Sequence, residues 1–420
     1  MKATPTDRDD EGAVWSSRRR FLAAGACCGA TAALGLFRSP PAEAAVPSPW
    51  PAAVQALWQR VWQGLPPEAV RDLHVHLLGD GAAGPDEDQG AWIHPRTLKP
   101  WVFGDWVRRQ AIARAAGVHD QPTRLSAAYV ERIADLWAPF PAGARPLLLA
   151  FDAALTAQGR VDTDHTMFRT GNGYAAQVAS ARGWGWIASV HPARADALER
   201  LQQAATMGAQ AVKWLPSAMR IDPSAPQHRR FYAELVRLNL PLLTHAGEEK
   251  AVTGANAHDL VNPLLLRRPL DEGVRVIVAH CATLGEAADL DAPGRPQVPA
   301  FRLFARLMDD PRYGSRLCGD LSAVAQVNRD PAHLRELLAR RDWHDRLFHG
   351  SDYPLPGLAW LTSVRRLVGE GLLDAADEPP LEALQRLNPL AFDFALKRCL
   401  RWQGGGFASG VFAGAERLRN

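Results

Sequence analysis

Two histidines stand one residue apart in the segment VRDLHVHLLGD, at residues 70–80. If this apolar segment is a strand, alternate side chains point to one face, and Asp72, His74 and His76 share that face. The opposite face then carries Leu73, Val75 and Leu77. Two imidazoles about 6–7 Å apart along a strand can bind one metal ion. A single His-x-His also occurs in strands whose histidines form only local hydrogen bonds.

Four further polar side chains follow short apolar runs in the same way. They are Lys213 in AQAVKWLPS, His245 in LPLLTHAGEE, His280 in VRVIVAHCA and Asp352 in RLFHGSDYP. Each is a residue type that binds metal ions, or one that can be converted into a metal ligand. A histidine that ends a buried apolar run also needs a polar partner. The repeated placement therefore indicates a metal site more strongly than any one of these residues does.

The elements that would position these side chains alternate regularly along the chain. Short apolar runs and amphipathic stretches predict strands separated by helices. The eight predicted strands are Val70–Leu78, Pro146–Ala153, Gly185–His191, Ala211–Leu215, Pro241–His245, Arg275–His280, Leu317–Ser322 and Leu347–Asp352. This pattern predicts an α/β fold, a (β/α)8 TIM barrel, whose catalytic groups lie at the carboxyl ends of the strands. The competing fold is a doubly wound sheet, but no glycine-rich phosphate loop follows the first strand.

Three segments flank or interrupt the predicted barrel, which spans residues 70–400. Residues 45–69 include an amphipathic stretch, WPAAVQALWQRVWQGL, which predicts an N-terminal helix that caps one end of the barrel. Residues 79–145 form a long helical insertion after the first strand, and a connection of this length is usually functional. Residues 401–420 are rich in glycine, so we expect a loosely ordered tail.

The residues on the first, fourth, fifth, sixth and eighth strands make the chain similar to the amidohydrolase superfamily. The segments DLHVHLLG, THAGEE, AHC and HGSDYP most resemble its amidohydrolase-related branch of hydrolases and decarboxylases. The resemblance implies that one divalent ion, with zinc as the first choice, is bound by His74, His76 and Asp352. It also implies that His245 and His280 bind a second ion.

The resemblance implies special roles for Lys213 and Asp352. Lys213 would react with carbon dioxide to form a carbamate that bridges the two ions. Alternatively, this lysine pairs with a carboxylate such as Glu248. Some members of the branch have no bridging lysine. Asp352 would be the catalytic residue that takes a proton from a metal-activated water and passes it to the leaving group.

Three other residues are candidates for supporting roles. Asp72 is expected to accept a hydrogen bond that orients a histidine ring. His191, which ends the third predicted strand, is expected in the pocket or behind a ligand. Arg220 follows the fourth strand and is a candidate for holding a substrate carboxylate through a forked contact.

Three functions follow from this pattern. The leading hypothesis is a metal-dependent hydrolase that cleaves an amide, ester, lactone or related bond in a small-molecule substrate. The second is a decarboxylase or other carbon–carbon lyase of the same branch that uses one metal ion. The third is an exported protein that binds a metal or solute without turnover, which the presence of a potential base, Asp352, disfavours.

The first 44 residues resemble a twin-arginine export signal. Arg18, Arg19 and Arg20 precede Phe21 and a mild apolar run, and PAEA then offers a small-residue cleavage site. A basic, unstructured N-terminus is the other interpretation. The signal predicts that the twin-arginine machinery exports the folded chain, which would make it periplasmic or secreted.

The overall composition predicts a soluble globular protein without a nucleic-acid partner. The net charge is only +3 and the basic residues are scattered rather than clustered. No other apolar stretch reaches the roughly 18 residues that span a bilayer, so we expect no stable membrane anchor after cleavage. Beyond the signal three cysteines remain, Cys281, Cys318 and Cys399, and their odd number and apolar settings predict buried thiols.

Overall fold

The computed structural model describes residues 50–120, 124–249, 252 and 257–418, so the predicted export signal lies outside the described residues. Within this part of the chain the strands are β1 (Arg71–His76), β2 (Ala91–Ile93), β3 (Arg145–Leu149), β4 (Phe168–Thr170), β5 (Gly185–Ile187), β6 (Val212–Trp214), β7 (Leu242–His245), β8 (Val276–Ala279), β9 (Glu286–Ala288), β10 (Gln297–Pro299), β11 (Leu317–Asp320) and β12 (Leu347–Phe348). The α-helices are Ala52–Val61, Phe103–Ala115, Leu125–Trp137, Asn172–Arg182, Ala197–Thr206, Pro216–Met219, Arg229–Arg237, Arg267–Asp271, Ala300–Asp309, Pro331–Ala339, Val364–Gly369, Glu378–Leu387, Pro389–Cys399 and Ser409–Phe412.

The barrel consists of the strands β1, β3, β5, β6, β7, β8, β11 and β12, which match the eight predicted strands in order. Their parallel ladders run β1-β3-β5 and β6-β7-β8-β11-β12. Isolated parallel bridges, Ala188 with Val212 and Val75 with Tyr353, join the two ladders at both ends. The eight strands therefore follow one another around a TIM barrel. At two places the neighbouring strands are joined by a single bridge instead of a continuous ladder.

Seven of the eight barrel strands end before the residue that their apolar runs predict, and after β8 and β12 the backbone turns where the polar side chains begin. β8 ends before His280, and His280, Cys281 and Ala282 have φ values of 57°, 50° and 50°. β12 ends well before Asp352, whose φ is 64°. Left-handed conformations in such residues cost roughly 1–3 kcal/mol each. The packing around these turns must therefore stabilise them.

A bulge interrupts the side-chain alternation predicted for the first strand. The register between β1 and β3 shifts between Asp72 and Val75. Leu73 consequently packs inside the barrel, whereas Val75 and Leu77 pack in the larger cluster that includes the helices. A bulge adds one residue to one strand and changes which way the following side chains point. The prediction that these three apolar residues share one face is therefore wrong.

The insertion after β1 is helical, as its sequence predicts. It contains the helices Phe103–Ala115 and Leu125–Trp137, together with β2, which pairs antiparallel with β4. Its outer part exposes the apolar side chains of Leu98, Trp101 and Phe103. Among the residues that the structure describes, no helix has the length and apolar character needed to cross a membrane.

The N-terminal helix Ala52–Val61 buries one apolar face formed by Val54, Leu57 and Val61. It packs against the helices Glu378–Leu387 and Pro389–Cys399. The Trp58 ring extends this contact and lies 5.8 Å from the Phe394 ring, measured between centroids. The start of the barrel domain is thus attached to its last long helices.

The glycine-rich tail is packed, so the expectation of a loosely ordered tail is wrong. Phe412 is fully buried, and Leu418 lies in the apolar cluster inside the barrel. Arg275, just before β8, donates hydrogen bonds to the carbonyl oxygens of Arg417 and Leu418, both at 2.9 Å. These contacts place the tail at the amino-terminal end of the barrel, opposite His280.

Candidate metal centre

Three of the predicted metal ligands converge at the carboxyl ends of the barrel strands. His74, His280 and Asp352 each offer one ligand atom, these atoms lie within 4.8 Å of one another, and all three residues are buried. The rings of His74 and His280 stack with 5.1 Å between their centroids. These residues are far apart in the sequence, and the closure of the barrel brings them together.

Asp352 contacts both histidines of the first strand. Its Oδ1 lies 3.2 Å from Nε2 of His76 and 3.5 Å from Nε2 of His74. Its backbone amide donates to the carbonyl oxygen of His74 at 2.8 Å, which attaches the turn after β12 to β1. Burial favours a higher pKa for Asp352, but nearby His280 and His76 outweigh this effect and hold the pKa below its ordinary value. The carboxylate is therefore ionised at neutral pH.

A carboxylate that the sequence analysis missed orients the His74 ring. Asp320, at the end of β11, is fully buried and lies 2.8 Å from Nδ1 of His74. It also accepts hydrogen bonds from the backbone amides of His280 and Ser322. Burial favours a higher pKa for Asp320, but the His74 ring holds that pKa well below its ordinary value. When Nδ1 donates to Asp320, the lone pair of Nε2 faces the centre.

Lys213 is buried on the inner wall of the barrel beside His74. Its Nζ lies 3.3 Å from Nε2 of that histidine. Burial lowers the pKa of Lys213, although the carboxylates of Asp320 and Asp352 oppose this shift. A lower pKa increases the fraction of uncharged amine, which is the form that can add carbon dioxide.

His245 and His280 present neutral rings to the same region, with 5.2 Å between the ring centroids. Nε2 of His245 lies 3.1 Å from a carboxylate oxygen of Glu249, and its buried Nδ1 has no hydrogen-bond partner among the described residues. Nδ1 of His280 contacts the Ser322 hydroxyl at 2.7 Å. Burial, with a smaller contribution from Lys213, lowers the pKa of His245 to about 3. Burial also places the pKa of His280 well below its ordinary value.

This donor set fits a divalent metal ion. Neutral imidazole nitrogens and an ionised carboxylate are the ligands that zinc and related ions prefer. The contact between Asp320 and His74 is the kind that fixes the ring orientation of a metal-binding histidine. The buried Nδ1 of His245, which lacks a described partner, is a further nitrogen that a metal ion would satisfy.

The candidate centre lines part of a cavity of about 480 Å³. The insertion contributes Ile93 and Ile112 to its wall, and the segment after β12 contributes Leu355 and Leu358. Phe151, which follows β3, also lines it. A largely apolar cleft of this size is typical of a small-molecule site.

Asp72 does not orient a histidine ring, so that prediction is wrong. Its Oδ1 instead accepts hydrogen bonds from the backbone amides of His74 at 3.1 Å and Ser351 at 2.8 Å. The bulge that begins after Asp72 is the physical reason, because it breaks the alternation on which the prediction rested. Asp72 thus joins β1 to the turn after β12, and Asp320 contacts the ring.

His191 and Arg220 do not lie at the centre. Nε2 of His191 donates to the carbonyl oxygen of Met219 at 2.9 Å, and its Nδ1 accepts from the amide of Ala193. Both ring nitrogens are therefore satisfied by backbone groups. Arg220 is half exposed and lies 3.5 Å from Asp162. The arginines that line the cavity come from other segments, namely Arg108, Arg109, Arg169 and Arg329.

Comparison with known proteins agrees with this geometry. The family model described as amidohydrolase matches residues 72–392, a range that includes all the barrel strands except the first residue of β1. The chain belongs to the amidohydrolase family. No curated protein matches this amidohydrolase in sequence.

Several solved structures are similar to this amidohydrolase at low identity. A TIM-barrel protein from Bordetella bronchiseptica has 14% identity and a TM-score of 0.43, and the match covers 72% of this chain and 98% of that one. A probable 2-pyrone-4,6-dicarboxylic acid hydrolase from Acinetobacter baumannii has 12% identity, a TM-score of 0.41 and coverage of 76% and 96%. A 5-carboxyvanillate decarboxylase from Sphingomonas paucimobilis has 12% identity, a TM-score of 0.41 and coverage of 83% and 98%.

Proposed function

We propose that this amidohydrolase is a metal-dependent hydrolase that cleaves an amide, ester, lactone or related bond with water. The observation that supports this proposal best is the position of Asp352. Its ionised carboxylate contacts His76 and His74, adjoins His280, and lines a cavity large enough for a small molecule. A potential proton acceptor therefore lies among potential metal ligands and next to the space for a substrate.

We assign the residues that would hold the metal from the resemblance of the strand-end residues to the amidohydrolase superfamily. His74, His76 and Asp352 would bind one ion, and His245 and His280 would bind a second. Lys213, as a carbamate, would bridge the two ions. A bound divalent ion would polarise the substrate carbonyl and lower the pKa of water, and zinc is the ion that this donor set favours.

The protein side chains would then control the proton and the surroundings of the reaction. Asp352, ionised at neutral pH, would accept a proton from the attacking water and return it to the leaving group. Asp320 would keep the His74 ring in one orientation. The apolar walls that the insertion contributes would exclude bulk water and strengthen the electrostatic interactions inside the cavity.

Metal content and substrate turnover test this proposal together. We expect nearly two ions per chain after loading with zinc, and hydrolysis of at least one member of a panel of esters, lactones and amides. Lys213→Ala should bind about one ion fewer and lose most of its activity, because losing one ligand weakens the others. A short-chain carboxylic acid should restore part of both properties, while Lys99→Ala, a change in the insertion, should alter neither.

The alternative is a lyase of the decarboxylase type that uses one metal ion. One feature favours it: among the described residues, a single cluster of three donors converges within 4.8 Å. One ion per chain, no effect of Lys213→Ala on metal content, and decarboxylation without hydrolysis would replace the hydrolase proposal with this one. The absence of any turnover by fully loaded protein would support a protein that binds a metal or solute without catalysis.

We also propose that the chain is exported in folded form by the twin-arginine machinery, on the basis of Arg18, Arg19 and the segment that follows them. Replacement of both arginines by lysine should leave the precursor in the cytoplasm. Fractionation of cells that express the two forms tests this, and unchanged export of the variant would contradict the proposal.

A further inference from the structure

Among the described residues four arginines line the cavity, and they differ in how their charge is neutralised. Arg169 lies 3.4 Å from Asp152 and 3.5 Å from Asp88, and Arg108 lies 3.5 Å from Asp105. Each of these two guanidinium groups therefore has a carboxylate partner. The other two, Arg109 and Arg329, have no carboxylate oxygen within 4.0 Å in the part of the chain that the structure describes.

Arg329 is the more deeply buried of these two unpaired arginines. Only 7% of its surface is exposed. Its Nη1 donates to the hydroxyl of Thr283 at 2.7 Å, while its buried Nε has no hydrogen-bond partner among the described residues. Thr283 lies three residues after His280 and donates to the carbonyl oxygen of that histidine at 2.8 Å. The Thr283 contact thus fixes the guanidinium beside the candidate centre.

A buried cation that no carboxylate contacts is costly, so the position of Arg329 favours a ligand with a compensating charge. Burial lowers the pKa of Arg329 to about 10, with the carboxylates of Asp352 and Glu249 opposing the shift. The group therefore remains charged at neutral pH. Its planar fork of N–H donors matches the geometry of a carboxylate, which can accept two parallel hydrogen bonds from it.

The rest of the cavity is suited to an apolar group. Its wall includes the apolar side chains of Ile93, Ile112 and Phe168, and also those of Leu355 and Leu358. At about 480 Å³ the cavity can enclose an aromatic ring or a short acyl chain together with a small polar group. The cavity therefore offers a cation for a charged group of a ligand and apolar contacts for the rest of it.

We propose that the substrate is a carboxylate with an apolar body, and that Arg329 binds its carboxylate group. The inference rests on the proposed function, because that proposal puts the reacting bond next to Asp352. Arg329 then determines specificity: it selects anionic substrates over neutral ones of the same shape. Arg108 and Arg169 keep their own carboxylate partners and do not contribute to this selection.

Binding of two matched probes to the metal-loaded full chain tests the proposal without requiring turnover. The probes are 4-phenylbutyrate and the neutral 4-phenyl-1-butanol, measured by titration calorimetry. Because a hydrogen bond to a charged group contributes about 1.5–3 kcal/mol, we expect the carboxylate to bind about tenfold to a hundredfold more tightly. Arg329→Gln should remove most of this preference and leave the affinity for the alcohol unchanged. Arg108→Gln, in the same cavity, should keep the preference.

Two further variants make each outcome decisive. Arg329→Lys keeps the charge but not the fork, so it should retain part of the preference, and thermal unfolding of all variants shows whether they fold. A preference that persists in Arg329→Gln would mean that the metal or another group binds the carboxylate, and would overturn the proposal. A preference lost in Arg109→Gln but not in Arg329→Gln would overturn it as well. Equal binding of both probes by the unaltered chain would exclude the substrate class.

The outcome is separable from that of the proposed function. If the carboxylate preference depends on Arg329 but no hydrolysis occurs, the binding site stands and the hydrolase proposal fails. If hydrolysis occurs with neutral and anionic substrates at equal rates, the hydrolase proposal stands and the role of Arg329 fails.

Discussion

The two ends of the barrel differ in the side chains that fill them. At the carboxyl ends of the strands lie buried histidines and carboxylates, left-handed turns at His280 and Asp352, and a cavity of about 480 Å³. At the amino ends the interior is closed by apolar packing, in which Leu418 joins Leu73 and other strand residues. Arg275 secures the tail there through two backbone carbonyl groups.

The residues that stabilise the fold and the residues suited to chemistry therefore lie at opposite ends of the barrel. The carboxyl end holds polar groups and strained turns, which cost folding free energy and are kept for chemistry. The amino end holds apolar contacts that contribute to stability and touch no reacting group. Substitutions at the two ends should therefore have opposite consequences: one should reduce turnover with little unfolding, and the other should promote unfolding with little change in turnover.

The largest effect is expected from Asp352→Asn at the carboxyl end. Asparagine has nearly the same shape but cannot accept the proton, and removal of a general base typically costs about 10²–10⁴-fold in rate. The midpoint of thermal unfolding should stay close to that of the unaltered chain. Turnover of a panel substrate, measured at equal metal content, checks this. A rate loss below about tenfold would show that Asp352 is not the base.

A smaller and opposite effect is expected from Leu418→Ala at the amino end. Truncation of a buried leucine costs roughly 2–5 kcal/mol of the free energy of unfolding, because a cavity is left behind. The turnover of the molecules that remain folded should not change. Leu98→Ala is the matched control, because that leucine is half exposed and surface changes usually stay within about 0.5 kcal/mol. Equal urea midpoints for the two variants would contradict the role of the tail.

His191→Gln should change how stability depends on pH. Burial lowers the pKa of His191 to about 4, so between pH 6.5 and 4 the unfolded chain binds a proton that the folded chain does not. The free energy of unfolding therefore falls as the pH falls through this range, by up to about 3 kcal/mol from this one group. The glutamine variant should show a shallower slope in urea denaturation between pH 7.5 and 4.5. His165→Gln, a change at a half-exposed histidine, should keep the slope, and parallel slopes for all three proteins would contradict the prediction.

The smallest effect is expected from Arg220→Ala. This arginine is half exposed and its ion pair with Asp162 lies at the surface, where such pairs contribute about 0–1 kcal/mol. Both turnover and unfolding should stay close to those of the unaltered chain. A large increase in KM would restore Arg220 as a substrate-binding residue and would weaken the assignment of that role to Arg329.

The order of the eight strands and the polar residues near their ends could be predicted from the sequence, because both follow from local periodicity. Asp320 could have been found by the same rule, since it lies near the end of the seventh apolar run. The bulge after Asp72 could not be predicted, because it depends on pairing between β1 and β3 and not on either strand alone.

Arg329 and the tail show a second limit of sequence reasoning. Arg329 lies in a connection beyond β11, and only its neighbours in space distinguish it from the many exposed arginines. The glycine content of residues 401–420 indicated a loose segment, but glycine content does not show that Phe412 and Leu418 are buried. In both cases the deciding information is a contact between residues that are distant in the sequence.

The position of the packed tail in the sequence also determines when the barrel interior can be completed during synthesis. Leu418 fills the barrel interior, yet it is synthesised after all eight strands have left the ribosome. The growing chain can therefore pair its strands but cannot complete this apolar core until the last part of the domain has emerged. Until then the amino end of the barrel exposes apolar side chains to water, and a nascent chain paused before residue 418 should bind chaperones that recognise such surfaces.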